Sequence, residues 1–322
     1  MNTNFLTKLF SSALAICFTT AMINASPLSF EGRLTYDAKD LTISEAGIDS
    51  IQPLVVNFNY DVANDVSVVA VGAIDAETND SNTVNLSQLY LSFGNFAETL
   101  IGDVVSVPDF MNFQTAIGQK SIRFGREGHL RSTQTLFIDK TDVTNVVFGG
   151  NANPSIGQGI EVNTEINTVL PLALNIAAFE NTQTVVESDR PLIAAQLNTS
   201  YALGLSDVDL GLDVLYGADS KDAAYGLNLG FDYNSFFGFA DVSMLSRNST
   251  TSTYYALTLG YNLASTYDFA ARYASSDLDN ATDLISILAS KKISNDLKLQ
   301  LQYNIIENSD NNLKAQFVFN LN

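Results

Sequence analysis

The last 29 residues, Ser294–Asn322, read SNDLKLQLQYNIIENSDNNLKAQFVFNLN. Leu297, Leu299, Leu301, Tyr303 and Ile305 alternate with Lys298, Gln300, Gln302 and Asn304. After a polar tract, Leu313, Ala315, Phe317, Phe319 and Leu321 alternate with Lys314, Gln316 and Asn320. Successive side chains of a strand point to opposite faces, so each run is a strand apolar on one face and polar on the other. The polar tract between them is a turn, and the apolar faces need something to lie against.

The same period recurs upstream. Leu28, Phe30, Leu34 and Tyr36 oppose Ser29, Glu31, Arg33 and Thr35, and Leu54, Val56, Phe58 and Tyr60 oppose Asn57 and Asn59. Val208, Leu210, Leu212, Val214 and Tyr216 oppose Asp209 and Asp213. Tyr225, Leu227, Leu229, Phe231 and Tyr233 oppose Asn228 and Asp232. No stretch holds a helical period for three turns, so helix is nearly absent. All six prolines fall at the start of an expected strand or in a connection, where the missing N–H does no harm.

Residues 1–25 read as a cleaved secretory signal: Lys8, an apolar stretch from Leu9 to about Met22, and small Ala25 at the cut. The expected mature chain is residues 26–322, one domain of 297 residues (322 minus 25), without Cys17, the sequence's one cysteine. Losing Lys8 leaves 15 bases against 35 acids, a net charge of −20. That excludes a basic nucleic-acid footprint. No later segment approaches the ~20 continuous apolar residues of a spanning helix. Yet 46% of residues are hydrophobic and 16% charged, below the ~25% of an average soluble domain. A barrel with one face in lipid has this balance.

The connections sort by parity. From the C-terminus backward, 307–312, 275–282, 247–252, 218–221 and 181–190 are long; 293–296, 264–265, 234–235, 203–206 and 168–171 are short. Near the N-terminus, long 38–53 precedes short 62–65 and longer 76–83. Outer-membrane barrels combine short periplasmic turns with longer external loops and an even strand count. In lipid every backbone polar group needs an internal partner, and a closed sheet supplies one. The expected fold is therefore all-β: a transmembrane antiparallel β-barrel of about 16 strands, or 18 if 98–105 and 142–149 are also strands. A large soluble sandwich or solenoid is the alternative. Tyr201, Tyr216, Tyr233, Tyr261, Tyr273, Tyr303 and Phe319 are candidates for interfacial girdles.

Three stretches carry a resemblance: VNLSQLYLSFGNF (84–96), TAIGQKSIRFG (115–125) and STQTLFIDKTDVTNVVFGG (132–150). They resemble Gram-negative outer-membrane porins, most closely the legiobactin-receptor type of siderophore porin. Gly118, Gln119, Phe124 and Gly125 match one element of that pattern; Thr135, Leu136, Asp139, Thr141 and Gly149 match the next. Arg123 stands where the pattern has proline. The resemblance implies an outer-membrane channel in a Gram-negative cell and, more narrowly, siderophore–iron uptake.

Chemistry has little to work with. His129, near Ser132 and Thr133, is the one histidine, so nucleophile–histidine catalysis is not expected and the chain is read as a non-enzyme. No cofactor or metal is expected, since the mature chain has no cysteine and one histidine. Asp277, Asp279, Asn280 and Asp283 offer oxygen ligands without the full spacing of a calcium loop.

The function expected lies in the lumen. Arg33, Glu161, Glu165, Asp209, Asp213, Asp232, Asp268, Arg272, Lys298, Gln300 and Gln302 are its candidate lining, with Asn57, Asn59, Asn163, Asn228 and Asn304. Segment 125–157 is the candidate constriction, with Arg123, Arg126, Arg131 and Lys140 facing Glu127, Asp139 and Asp142. The expected activity is diffusion of small hydrophilic solutes, or a siderophore complex, without a plug domain ahead of the barrel. A structural or adhesive surface barrel is the competing function. Expected partners are outer-membrane lipid, lipopolysaccharide and the solute; a homotrimer is one possible assembly.

Overall fold

The computed structural model describes residues 28–39, 47–51, 54–63, 66–74, 84–94, 108, 110–127, 135–139, 156–180, 191–218, 222–278, 282–307 and 309–321. The strands are β1 (Leu28–Lys39), β2 (Gly47–Ile51), β3 (Leu54–Ala63), β4 (Val66–Ile74), β5 (Val84–Gly94) and β6 (Met111–Ser121). Next come β7 (Ile156–Ile166), β8 (Leu172–Glu180), β9 (Leu192–Leu203), β10 (Ser206–Gly217), β11 (Ala223–Tyr233) and β12 (Phe236–Arg247). The last are β13 (Thr250–Leu263), β14 (Tyr267–Ser276), β15 (Leu284–Lys292), β16 (Leu297–Ile306) and β17 (Asn312–Leu321).

From β3 to β17 every strand pairs antiparallel with the next. β1 then pairs with β17 from Phe30↔Leu321 to Lys39↔Asn312, and with β3 from Leu28↔Phe58 to Glu31↔Val55. The ladder of described strands thereby returns to its start. β2 continues β3 along β1, with Leu34 opposite Ile51, and Pro53 lies in the gap between them. Counting β2 and β3 as one interrupted strand, the 17 segments make 16 strands round the barrel. Segments 98–105 and 142–149, the extra strands of the 18-strand count, lie outside the described residues.

The exterior is apolar. Ile193, Leu212, Leu227, Leu257, Ile287 and Leu301 are exposed at alternate positions of successive strands, whereas their chain neighbours Gly211, Asn228, Thr258, Ser286 and Gln300 are buried inside. Burial of oil and exposure of polar groups is thus reversed relative to a soluble domain, the requirement for a strand facing hydrocarbon. Exposed aromatic residues mark both ends of this belt. Tyr60, Tyr201, Tyr233, Phe236 and Tyr267 lie toward the short turns, and Tyr216, Tyr225, Tyr255 and Tyr273 toward the long connections. Tyr303 and Tyr261 are half-buried, the latter packed 4.8 Å from Phe236.

Loop parity holds apart from the 16 residues 95–110 that join β5 to β6 at the short-turn end, and with one correction. The 247–252 connection, expected to be long, is a two-residue turn at Asn248–Ser249, because Arg247 pairs with Thr250. Both turn residues have positive φ (49° and 66°), the geometry that lets two strands reverse without splaying. Polar residues on both sides of that turn disguised it as a loop, although they continue the ladder. At the long-connection end Asp283 accepts hydrogen bonds from Ser275 Oγ and, at 2.8 Å, Tyr273 Oη, which hold its carboxyl below the usual range. Asp277 accepts from the Thr253 amide at 2.7 Å. Asp279 and Asn280 lie outside the described residues.

One glycine tests the ladder directly. A Cβ on Gly159 of β7 would overlap the Ala178 carbonyl oxygen on β8. A side chain there separates two strands rather than displacing a flexible neighbour, so Gly159→Val costs about 3 kcal/mol. The expected result is a lower urea midpoint for barrel unfolding in detergent micelles, and an unchanged midpoint would refute the β7–β8 contact.

Candidate functional site

The interior wall is polar. Gln300, Gln302 and Gln316 are fully buried on β16 and β17, and Glu161, Asn175, Gln196, Asp213, Asn228, Ser286 and Arg272 are almost so. Each lies on the inward parity of its strand, and their mutual hydrogen bonds satisfy groups that burial would otherwise penalise. Asp213 accepts from Gln196 Nε2 at 2.6 Å and from Asn228 Nδ2. Glu161 accepts from Lys120 Nζ and, at 3.0 Å, from Asn163 Nδ2; Asn163 accepts in turn from Asn175. Asp268 accepts from Asn262 Nδ2 at 2.6 Å and Ser290 Oγ at 2.8 Å.

The chain leaving β6 turns into this lumen in two described stretches. In 122–127, Ile122 and Phe124 are fully buried against Ala177, Phe179, Leu192, Ala194, Leu215 and Ala224 on the inner face of β8–β11. The wall is cut away to receive them. Gly226 faces the Phe124 ring and Gly230 lies under the Arg126 guanidinium, where any Cβ would collide. Arg126 stacks 4.0 Å over Phe239, a cation–π contact.

In 135–139, Phe137 and Leu136 pack with Ala270, Leu288 and Phe237. The backbone there is tied down by wall side chains. Gln302 Oε1 accepts from the Ile138 amide at 2.7 Å, and Gln300 Nε2 donates to the Leu136 carbonyl at 2.7 Å. Arg272 donates to the Asp139 carbonyl at 3.0 Å, and its guanidinium lies 4.2 Å over Phe137. The Asp139 carboxylate accepts from Lys314 Nζ at 2.8 Å, Asn304 Nδ2 at 3.0 Å and Gln302 Nε2 at 3.2 Å. Charge-assisted bonds of this kind are stronger than neutral ones, so the segment is anchored at both described ends.

The segment's charges, expected to face one another, are described only in part. Among the described residues they pair with the wall: Arg123 with Glu161 at 3.8 Å, Arg126 with Asp241 at 4.0 Å, and Asp139 with Lys314. Glu127 lies close enough to Asp241 to act on it electrostatically. The wall is lined with opposite charge within reach, whereas successive bases and acids along a short loop point apart. Arg131, Lys140, Asp142 and His129 lie outside the described residues. So does the Arg33 side chain, although its backbone pairs with Val318.

Beneath the 122–127 stretch, toward the short turns, lies a cavity of about 470 Å³. Arg123, Arg126, Glu165, Asn198, Asp209 and Asn228 are among its lining. Asp232 feels Asp209 and Arg126 electrostatically from the next strand. A second cavity of about 350 Å³ opens at the same end beside Asp268, Lys292 and Lys298.

Sequence reasoning missed four participants: Lys120, Tyr90, Asp241 and Lys314. Lys120 sits over the Tyr90 ring at 5.1 Å. All four occupy the inward parity of their strands, which the quoted alternation showed for Lys314 alone; their partners on other strands it did not show.

Solved structures share this arrangement. The loop L8 deletion mutant of OmpT, an outer membrane protein of Vibrio cholerae, aligns with a TM-score of 0.59 at 12% identity, over 92% of this chain and all of that one. The fold is that of the outer-membrane porins. OmpF of Salmonella typhi, solved with daunomycin, aligns at 0.57 and 11% identity over 91% of this chain and 97% of its own. The anion-selective porin of Comamonas acidovorans gives 0.57 and 11%, covering 92% and 99%. No protein-family model matches the chain, and no curated protein matches it. The legiobactin-receptor resemblance therefore gains no support beyond its quoted motifs.

Proposed function

We propose that this porin-fold barrel resides in the Gram-negative outer membrane and conducts small hydrophilic solutes by diffusion, with stretches 122–127 and 135–139 narrowing its lumen. The observation that carries the reading is the chain folded inward after β6 and bonded to two stretches of wall, beside a cavity lined by both charge signs. Sixteen strands enclose more space than their own inward side chains fill. The wall that remains polar keeps that space wet. A surface adhesin needs no such interior.

The acids Asp209, Asp213, Asp232 and Asp241 cluster on the inner faces of β10–β12, where Arg126 is the base of the lumenal segment beside them. Negative potential along a path attracts cations. Reconstituted in a planar bilayer under a KCl gradient, the protein should show stepwise currents with a reversal potential of the sign set by K⁺ preference. Arg126→Gln should push that potential further in the same direction. Absence of stepwise current would refute the channel.

An iron–siderophore complex as solute draws only on the motif resemblance in 84–150. Small hydrophilic solutes are the assigned class. Lipopolysaccharide and phospholipid would contact the apolar belt and its aromatic rims. One solved OmpT structure is described as a trimer form, and a homotrimer is the assembly proposed here.

A further inference from the structure

We infer that the 470 Å³ cavity beneath the 122–127 stretch is a subsite for zwitterionic solutes of amino-acid to dipeptide size; this rests on the channel reading and names its preferred cargo. Its lining is two-signed by construction. Arg123 and Arg126 enter from the lumenal segment, while Glu165 on β7 and Asp209 on β10 belong to the wall. A neutral sugar would engage only the amides and hydroxyls, and an ion of one sign would meet a repelling group in the same cavity. A molecule carrying both charges can place its carboxylate at the guanidiniums and its ammonium at the carboxylates.

The guanidiniums retain capacity for such a ligand. Their wall contacts, 3.8 Å to Glu161 and 4.0 Å to Asp241, are longer than hydrogen bonds, so those carboxylates do not use up their donors. Arg126 Nε is buried without a hydrogen-bond partner. Five N–H donors in a planar fork suit a carboxylate, which two of them can bind side by side. Arg126 lies in the room left by Gly230 and stacks on Phe239, and that stacking orients the fork before the ligand arrives. Asn198 and Asn228 supply amide dipoles for the peptide group between the charged ends. The volume lies within the range of small-molecule sites.

Four glycylglycine forms separate this idea from general wetness of the lumen: the free zwitterion, the N-acetylated anion, the C-amidated cation and the doubly capped neutral molecule. Binding is measured by calorimetry and saturation-transfer NMR on the detergent-folded protein, whose heat-shifted gel mobility confirms the closed barrel. The zwitterion should bind about tenfold more tightly than any capped form, the gain expected when one charge-assisted contact is added. Arg123→Gln/Arg126→Gln should erase its advantage over the cation, and Asp209→Asn/Glu165→Gln its advantage over the anion. Equal binding of the four forms to the unmutated protein would overturn the subsite without any variant. Bilayer conductance of the same preparation is a separate reading: its absence would overturn the channel, and current without zwitterion preference would overturn the subsite alone.

Discussion

Deleting residues 127–139 should raise single-channel conductance severalfold. The deletion removes Phe137, the backbone held by Gln300 and Gln302, and the Asp139 carboxylate bonded to Lys314, Asn304 and Gln302. What remains of the segment, with Ile122 and Phe124, is still docked on the β8–β11 wall. The barrel ladder itself uses none of the deleted residues, since β6 ends at Ser121 and β7 begins at Ile156. The barrel should therefore keep its heat-shifted gel mobility while its lumen widens along the β14–β17 side. Unwanted rearrangement is limited because water, which a wet pore supplies, takes the place of the deleted segment in the hydrogen bonds of the uncovered amides Gln300, Gln302 and Asn304. Conductance equal to that of the full chain would remove the constriction from the account and leave only the barrel. Cation preference should weaken less than conductance rises, because the Asp209, Asp213, Asp232 and Asp241 wall stays in place.

The second large effect concerns the outside. Leu257, near the middle of β13, is 50% exposed, and Leu301 of β16 is 45% exposed. In water, Leu→Arg at so exposed a site would be close to neutral. In a bilayer the same change brings a charge to the hydrocarbon midplane and costs ~2–4 kcal/mol. Leu257→Arg and Leu301→Arg should each lower the urea midpoint for folding into phospholipid vesicles. Asn295→Arg, in an exposed connection of the short-turn end, should not. Equal stability of all three would mean that the exposed leucines do not face lipid, and with that the transmembrane reading would fall.

These expectations differ in where they were legible. The strands of the last two runs were readable residue by residue: Leu297 to Ile306 and Asn312 to Leu321 are β16 and β17, with Gln300, Gln302 and Gln316 inward as the alternation required. A period of two is a local property, fixed by backbone geometry between residues two apart, so a single sequence displays it. Register with chain neighbours follows from short turns for the same reason. The 247–252 connection shows where this fails. Threonine and serine serve both strands and loops, and only the positive φ of Asn248 and Ser249 decides that the chain reverses there.

The lumen was legible as a list and not as an arrangement. Arg126, Asp139 and Arg272 were identified as inward or loop charges, but their partners were not: Asp241, Lys314 and the Asp139 carbonyl. The use of Gly226 and Gly230 as a recess for Phe124 and Arg126 depends on a segment a hundred residues upstream, which no local pattern reveals.

By itself, then, the sequence determined a membrane-facing, closed antiparallel sheet with two kinds of connection, because side-chain parity and turn chemistry act over a few residues. Only the tertiary structure decided that the segment after β6 lies inside that sheet, and which wall charges meet it. Ile138 and Gln302 are 164 residues apart, Asp139 and Lys314 are 175 apart, and nothing local links either pair. Closure of the ladder between β1 and β17 brings the β16–β17 wall round to within hydrogen-bond reach of the segment that leaves β6.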